Sequence, residues 1–188
     1  TGNRKRRTAL MAAACVIFFA GLFVLLYPVW TNWLYNRDVK LQKIEFERRV
    51  REQTELKEQT QLSQDENISS MPYEELYKEL QRQNELLFSE RQKDLKDPFS
   101  YEQPGIDLTE YGLEGNIIGF LSVPKMEIEL PILLGANTEN MKEGAVHLTE
   151  TSYPIGGDTT NCVLAAHRGY SKAAMFRDIE KLETGDEI

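Results

Sequence analysis

Between Arg7 and Arg37 the chain carries no charge, and inside that gap Ala9–Tyr27 (ALMAAACVIFFAGLFVLLY) is a run of 19 residues with no polar group beyond one phenol. As a helix rising ~1.5 Å per residue it is about 28 Å long. That matches the ~30 Å hydrocarbon core of a bilayer. Tyr27, Trp30 and Trp33 follow where an interfacial aromatic belt belongs, and Arg4, Lys5, Arg6 and Arg7 precede the run. The positive-inside rule then puts the N-terminus in the cytoplasm and everything after Trp33 outside the cell membrane. A cleaved signal peptide has a shorter apolar core of ~7–15 residues and a small-residue cleavage site, whereas this run ends in the bulky LLYPVW. A lipid anchor on Cys15 would need the apolar run before the cysteine, and most of it follows. The expectation is a single-pass anchor.

Composition supports one anchor and one exported unit. Hydrophobic residues are 41% and charged residues 28% of 188, values of a folded soluble protein rather than of a disordered or multi-span chain. The net charge of −8 is unevenly spread. Residues 97–188 hold 6 Lys/Arg against 16 Asp/Glu, and residues 31–96 are nearly balanced at 12 against 14. An acidic outer half with no basic stripe argues against nucleic-acid binding, which needs clustered cations to replace phosphate counterions. Two cysteines 147 positions apart make no disulfide framework.

The expected organisation is a basic tip over 1–7, a membrane helix over 8–30, a helical stalk over 31–96, a segment over 97–115 and an outer domain over 116–188. In the stalk, apolar residues recur at helical spacing from Val39 to Leu62 without sustained heptads, so the reading is an amphipathic spacer rather than a coiled coil. Asn67, Ser69, Ser70 and Pro72 then offer caps to a second helix bearing Tyr73, Leu76, Tyr77, Leu80 and Leu87 on one face.

From residue 116 the pattern becomes β-like. Ile117–Val123 reads as a strand, and Met126–Ile132 alternates apolar and acidic residues as a half-buried strand whose Pro131 implies an edge or a bulge. Thr138–Glu143 reads as a helical turn stopped at Gly144, Thr160–His167 as a third strand, and Lys172–Leu182 as a helix. The fold class is mainly β, a barrel or sandwich with short helices. With three clear strands and a fourth just beginning at Asp186, the domain reads as truncated.

Of the two histidines, His147 lies in a loop-like stretch and His167 ends a strand beside Arg168-Gly169. A rigid strand with an exposed tip is where general acid–base side chains are often placed. Cys162 and His167 do not make a nucleophile pair. On a strand, residues five apart face opposite sides and are roughly 16 Å apart. Cys162 therefore reads as a small buried apolar residue. No ligand-spaced Cys/His cluster, phosphate loop or nucleophile elbow is present, so neither a metal nor a cofactor is expected.

The run from Gly119 to Met126, Leu130-Pro131-Ile132, Gly135, Gly144–Leu148, Thr151–Gly157, Ala166–Gly169 and Ala174–Ile179, followed by Leu182 and Gly185-Asp186, resembles the sortase catalytic domain in order. Asp97-Pro98-Phe99 resembles the lid of the pilus-building class C sortases. The resemblance implies a membrane-anchored cysteine transpeptidase of Gram-positive bacteria with a closed β-barrel. Such an enzyme cleaves a Leu-Pro-x-Thr-Gly-like sorting signal and passes the acyl group to an amine, on a pilin lysine or a cell-wall precursor. It makes His167 the catalytic general acid and base, with Asp97 and Phe99 as lid residues. The family's nucleophilic cysteine and oxyanion arginine have no match here, since neither Cys162 nor Arg168 stands at those places. The chain is thus expected to be an N-terminal portion, inactive as it stands. A reading from another class is a non-catalytic single-pass scaffold with an extracellular stalk.

Overall fold

The computed structural model describes residues 2–63, 71–89, 102–170 and 172–188. Helix α1 runs unbroken from Gly2 to Ser63, so the apolar run and the polar stretch after it are one rod. The 18-residue apolar window within it is wholly unburied and long enough to cross a membrane. Pro28 sits inside α1; it removes one rung of the hydrogen-bond ladder near the C-terminal end of the apolar run.

The segment expected to be a spacer packs on the sheet and the residues around it. Val39 is 3% exposed. Tyr35 donates its hydroxyl to the Glu143 carbonyl at 2.6 Å. Phe46 meets Phe120 edge to face at 5.6 Å, Lys43 pairs with Glu129 and Arg49 with Glu114 at 3.2 Å. Helix α2 (Glu74–Ser89) buries Leu76, Leu80 and Asn84, one face at four-residue spacing.

Four strands follow: β1 (Ile117–Val123), β2 (Ile128–Leu134), β3 (Ala145–His147) and β4 (Leu164–Ala165), hydrogen-bonded in chain order. The β1–β2 and β3–β4 pairs are antiparallel. The β2–β3 pair is parallel, its crossover made by α3 (Thr138–Glu143), which Asn137 caps through the amides of Glu139 and Asn140. The sheet is open, with β1 and β4 at opposite edges, so the closed barrel is not formed by the described residues. Two helices of 62 and 16 residues also outweigh strands of 7, 7, 3 and 2, so the mainly β description fits the outer domain only.

Local expectations shift in several places: the strand expected over Thr160–His167 shrinks to Leu164–Ala165, and the loop-like stretch at His147 is strand β3. The second strand begins at Ile128 rather than Met126, because Pro124–Met126 forms a 3-10 turn closed by Glu127 at φ 53°. Pro131 marks no edge, since β2 is central, but the expected bulge has a counterpart beside it: the β1–β2 register shifts between Ile117 and Gly119, opposite Leu133 and Ile132. The β2–β3 ladder starts at Ile132 opposite Ala145, just past Pro131, where a Cβ on Gly144 would stand 2.7 Å from the proline ring. The predicted helix from Lys172 to Leu182 is a kinked 3-10 stretch, Met175–Lys181.

Three apolar clusters hold the sheet. One joins α2 to Leu108, Leu113, Leu134 and Tyr153. A second gathers Leu130, Ala145, Ala173 and Met175, with Tyr35 of α1 and Tyr170 packed against it. A third, of Leu133, Ala136 and Val146, fills the other face of β2 and β3.

Candidate functional site

The chain leaves β4 at Ala165, and His167 stands two residues further on, half-buried. Its carbonyl oxygen accepts two amides, Gly169 N at 2.8 Å and Phe176 N at 3.0 Å. The reversal requires φ 89° at Gly169, a region that favours glycine; a Cβ there would also come within 3.1 Å of Arg177 Nε. The imidazole lies nearly parallel to the Tyr170 ring, 5.2 Å between centroids at 12°. Backbone and ring are thus both held, in a residue that is only half-buried. A histidine held in this way could serve as a general acid or base.

His147 is built for a different task. It ends β3 opposite Leu164 and is 1% exposed. Its Nε2 lies 3.1 Å from the carbonyl oxygens of Thr151 and Ser152, and its ring stacks on Tyr153 at 4.8 Å. Two carbonyls can only accept, so Nε2 carries the proton and Nδ1 is bare. Nδ1 is buried with no hydrogen-bond partner among the described residues. Burial pushes this imidazole below its ordinary value, outweighing the two carbonyls that raise it. His147 is a neutral internal brace for residues 148–163.

That stretch is stitched to the strand leading to His167. Leu148 N bonds Val163 O, Ser152 N bonds Asn161 O, and the hydroxyls of Thr151 and Ser152 accept Val163 N and Asn161 N. Behind it, buried Asn84 of α2 clamps the Tyr153 backbone, accepting its N–H at 2.7 Å and donating to its carbonyl at 3.4 Å. Asn84, like Asn32 and Tyr35 of α1, gave no sign in the sequence. An isolated Asn or Tyr in a polar helical stretch has no pattern that marks it as a contact.

The structure does not pair Cys162 with His167. Cys162 is exposed rather than buried as expected, no hydrogen bond joins the two among the described residues, and desolvation pushes its thiol up. A reactive cysteine needs the opposite shift. Cys15 lies on the exposed surface of the apolar part of α1. Arg168 reaches outward to Glu180 at 3.1 Å. Asp97 and Phe99 lie outside the described residues. No group of three His, Cys, Asp or Glu with metal-holding geometry is present among the described residues.

Comparison with known proteins bears on this stretch of chain. Sortase A of Bacillus anthracis is 35% identical over 72 residues, 38% of this chain and 33% of that protein. Sortase D of Bacillus subtilis (strain 168) is 32% identical over 74 residues, 39% of this chain and 34% of that protein. The chain thus spans about a third of the length of the curated relatives it matches. Among solved structures, sortase C1 of Streptococcus agalactiae in complex with MTSET superposes with a TM-score of 0.45 at 31% identity, covering 58% of this chain and 56% of that one. The sequence model of the sortase domain matches residues 121–188. The stretch that is similar to sortases thus holds β2, both histidines and the segment folded against His167.

Proposed function

We propose that the protein acts as a class C-like sortase: a membrane-anchored cysteine transpeptidase that cleaves a sorting signal and transfers the acyl group to an amine. The observation that carries this reading is the sortase-domain match over residues 121–188, with His167 braced at its carbonyl and stacked on Tyr170 inside that stretch. In this reading a thiolate attacks the scissile carbonyl, and His167 as imidazolium gives its proton to the departing amine. The incoming amine then attacks the thioester, returns a proton to His167 and releases the thiolate, so that acid and base roles alternate on one ring. The required thiol is neither Cys15 nor Cys162. Placement of α1 across the cell membrane, basic end in the cytoplasm and sheet outside, belongs to the same reading. So does the resemblance of Asp97-Pro98-Phe99 to the class C lid, on sequence alone. The acceptor is a pilin lysine or a cell-wall amine.

The test uses the protein as encoded, in membranes of a Gram-positive host, with a fluorogenic sorting-signal peptide and an amine acceptor. His167→Ala is expected to lower turnover by about 10²–10⁴-fold, the range for loss of a general acid–base. Full transpeptidation by that variant, or no thioester and no transfer by the unmodified protein, overturns the reading in favour of a scaffold.

A further inference from the structure

We propose that Asn32 of α1 is a positioning residue for His167, through which the outer end of the membrane helix sets the geometry of the histidine segment. The proposal rests on reading His167 as the acid–base group. Asn32 touches no reacting atom and acts through the backbone of residues 173–176.

The Asn32 Oδ1 atom accepts the backbone N–H of Ala174 at 3.1 Å, across 142 positions of sequence. Two residues later Phe176 N donates to the His167 carbonyl at 3.0 Å. Met175, between them, has φ 43° and is 1% exposed. A left-handed non-glycine backbone is strained and persists only where its surroundings over-determine it. Here the surroundings are identifiable. The amide before Met175 is tied to α1, the amide after it is tied to His167, and its side chain is packed with Leu130, Ala145 and Ala173.

The loop closes from the other direction as well. Tyr170 and Ala173 exchange backbone hydrogen bonds at 2.9 and 3.2 Å, and it is the Tyr170 ring on which the His167 imidazole lies. The backbone leaving His167 and the ring supporting it therefore converge on Ala173-Ala174, where Asn32 takes hold. One turn along α1, Tyr35 packs against the same cluster and donates to Glu143 O, so the tether has a second point that fixes its rotation. Without Asn32 the Ala174 amide loses its protein acceptor, and the strained Met175 turn loses one of its two clamps.

The experiment compares Asn32→Ala and Asn32→Asp with the unmodified full-length protein in phospholipid nanodiscs. Alanine is the better helix former, so α1 persists; aspartate keeps an acceptor oxygen at the same reach. Amide exchange of the peptide spanning 172–177 is expected to quicken about tenfold in Asn32→Ala and to return to the unmodified rate in Asn32→Asp. Turnover of a sorting-signal peptide is expected to fall about tenfold in kcat with KM unchanged, again recovered by aspartate. Unchanged exchange in Asn32→Ala overturns the tether. Quickened exchange with unchanged kcat overturns the positioning role. No turnover by the unmodified protein overturns the sortase reading instead and takes the positioning role with it, while the exchange arm still reports the tether.

Discussion

Protonating His147 would place a charge at Nδ1, an atom sealed from water and without a hydrogen-bond partner among the described residues. The folded state therefore holds this imidazole neutral, with its affinity for a proton below that of the unfolded chain. The sign follows from proton counting. Below the unfolded histidine value of about 6.5 the unfolded state binds more protons, so stability falls as pH is lowered from there towards the depressed folded value. The slope is at most ~1.4 kcal/mol per pH unit. Urea midpoints at pH 7.5 and 5.5 should show this loss, and His147→Gln, which keeps a donor but cannot titrate, should shrink it. An equal loss in both proteins would show that His147 does not carry it. Neither histidine's role was open to spacing arguments alone. His167 stood out because a strand end next to Arg168-Gly169 is visible in sequence, whereas the brace at His147 depends on carbonyls four and five residues away that only the folded loop brings under its ring.

At the scale of elements, α2 shows what periodicity reveals and what it hides. Leu76 and Leu80 are buried as the stripe requires, but the face continues into a polar residue, Asn84, whose amide is spent on the Tyr153 backbone. Asn84→Leu should cost about 1–3 kcal/mol despite adding apolar surface, because it strands a buried N–H and a carbonyl. Chemical denaturation would register it, and an unchanged midpoint would mean that water or a shifted loop satisfies Tyr153. Strand β1 matches the apolar run that announced it. The second strand slid two residues because a proline turn ending in left-handed Glu127 is read poorly from alternation alone. Of the two readings of Pro131 the edge fails and the bulge has a counterpart in the register shift opposite Ile132 and Leu133; the missing N–H is tolerated in a central strand where the neighbouring ladder has yet to begin.

For the whole molecule, the contact between α1 and the sheet decides the architecture, and it mixes apolar and ionic parts of unequal weight. The Lys43–Glu129 pair has side chains 34% and 26% exposed, in the range where such pairs contribute about 0–1 kcal/mol. Val39 is sealed, and an uncompensated charge in its place costs about 3–5 kcal/mol. Val39→Asp is therefore expected to release α1 and expose residues 31–63 to limited proteolysis, and Lys43→Ala to leave the cleavage pattern nearly unchanged. The reverse ranking would make the ionic contact the one that holds. Sequence marked the apolar run and the change to strands at residue 116, but not that the polar stretch between them lies on the sheet. Its contacts are single residues spaced along a rod rather than a continuous stripe, so no window of periodicity collects them. The rod has one more consequence. Because α1 is continuous from its apolar run to Asn32 and Tyr35, distance and angle along it are locked together at 3.6 residues per turn. One residue added between Pro28 and Asn32 lifts the sheet by only ~1.5 Å but turns its docking face by roughly 100°. That short stretch thus encodes an azimuth more than a height: natural length changes there should come in sevens, which nearly restore the phase, or be absent altogether.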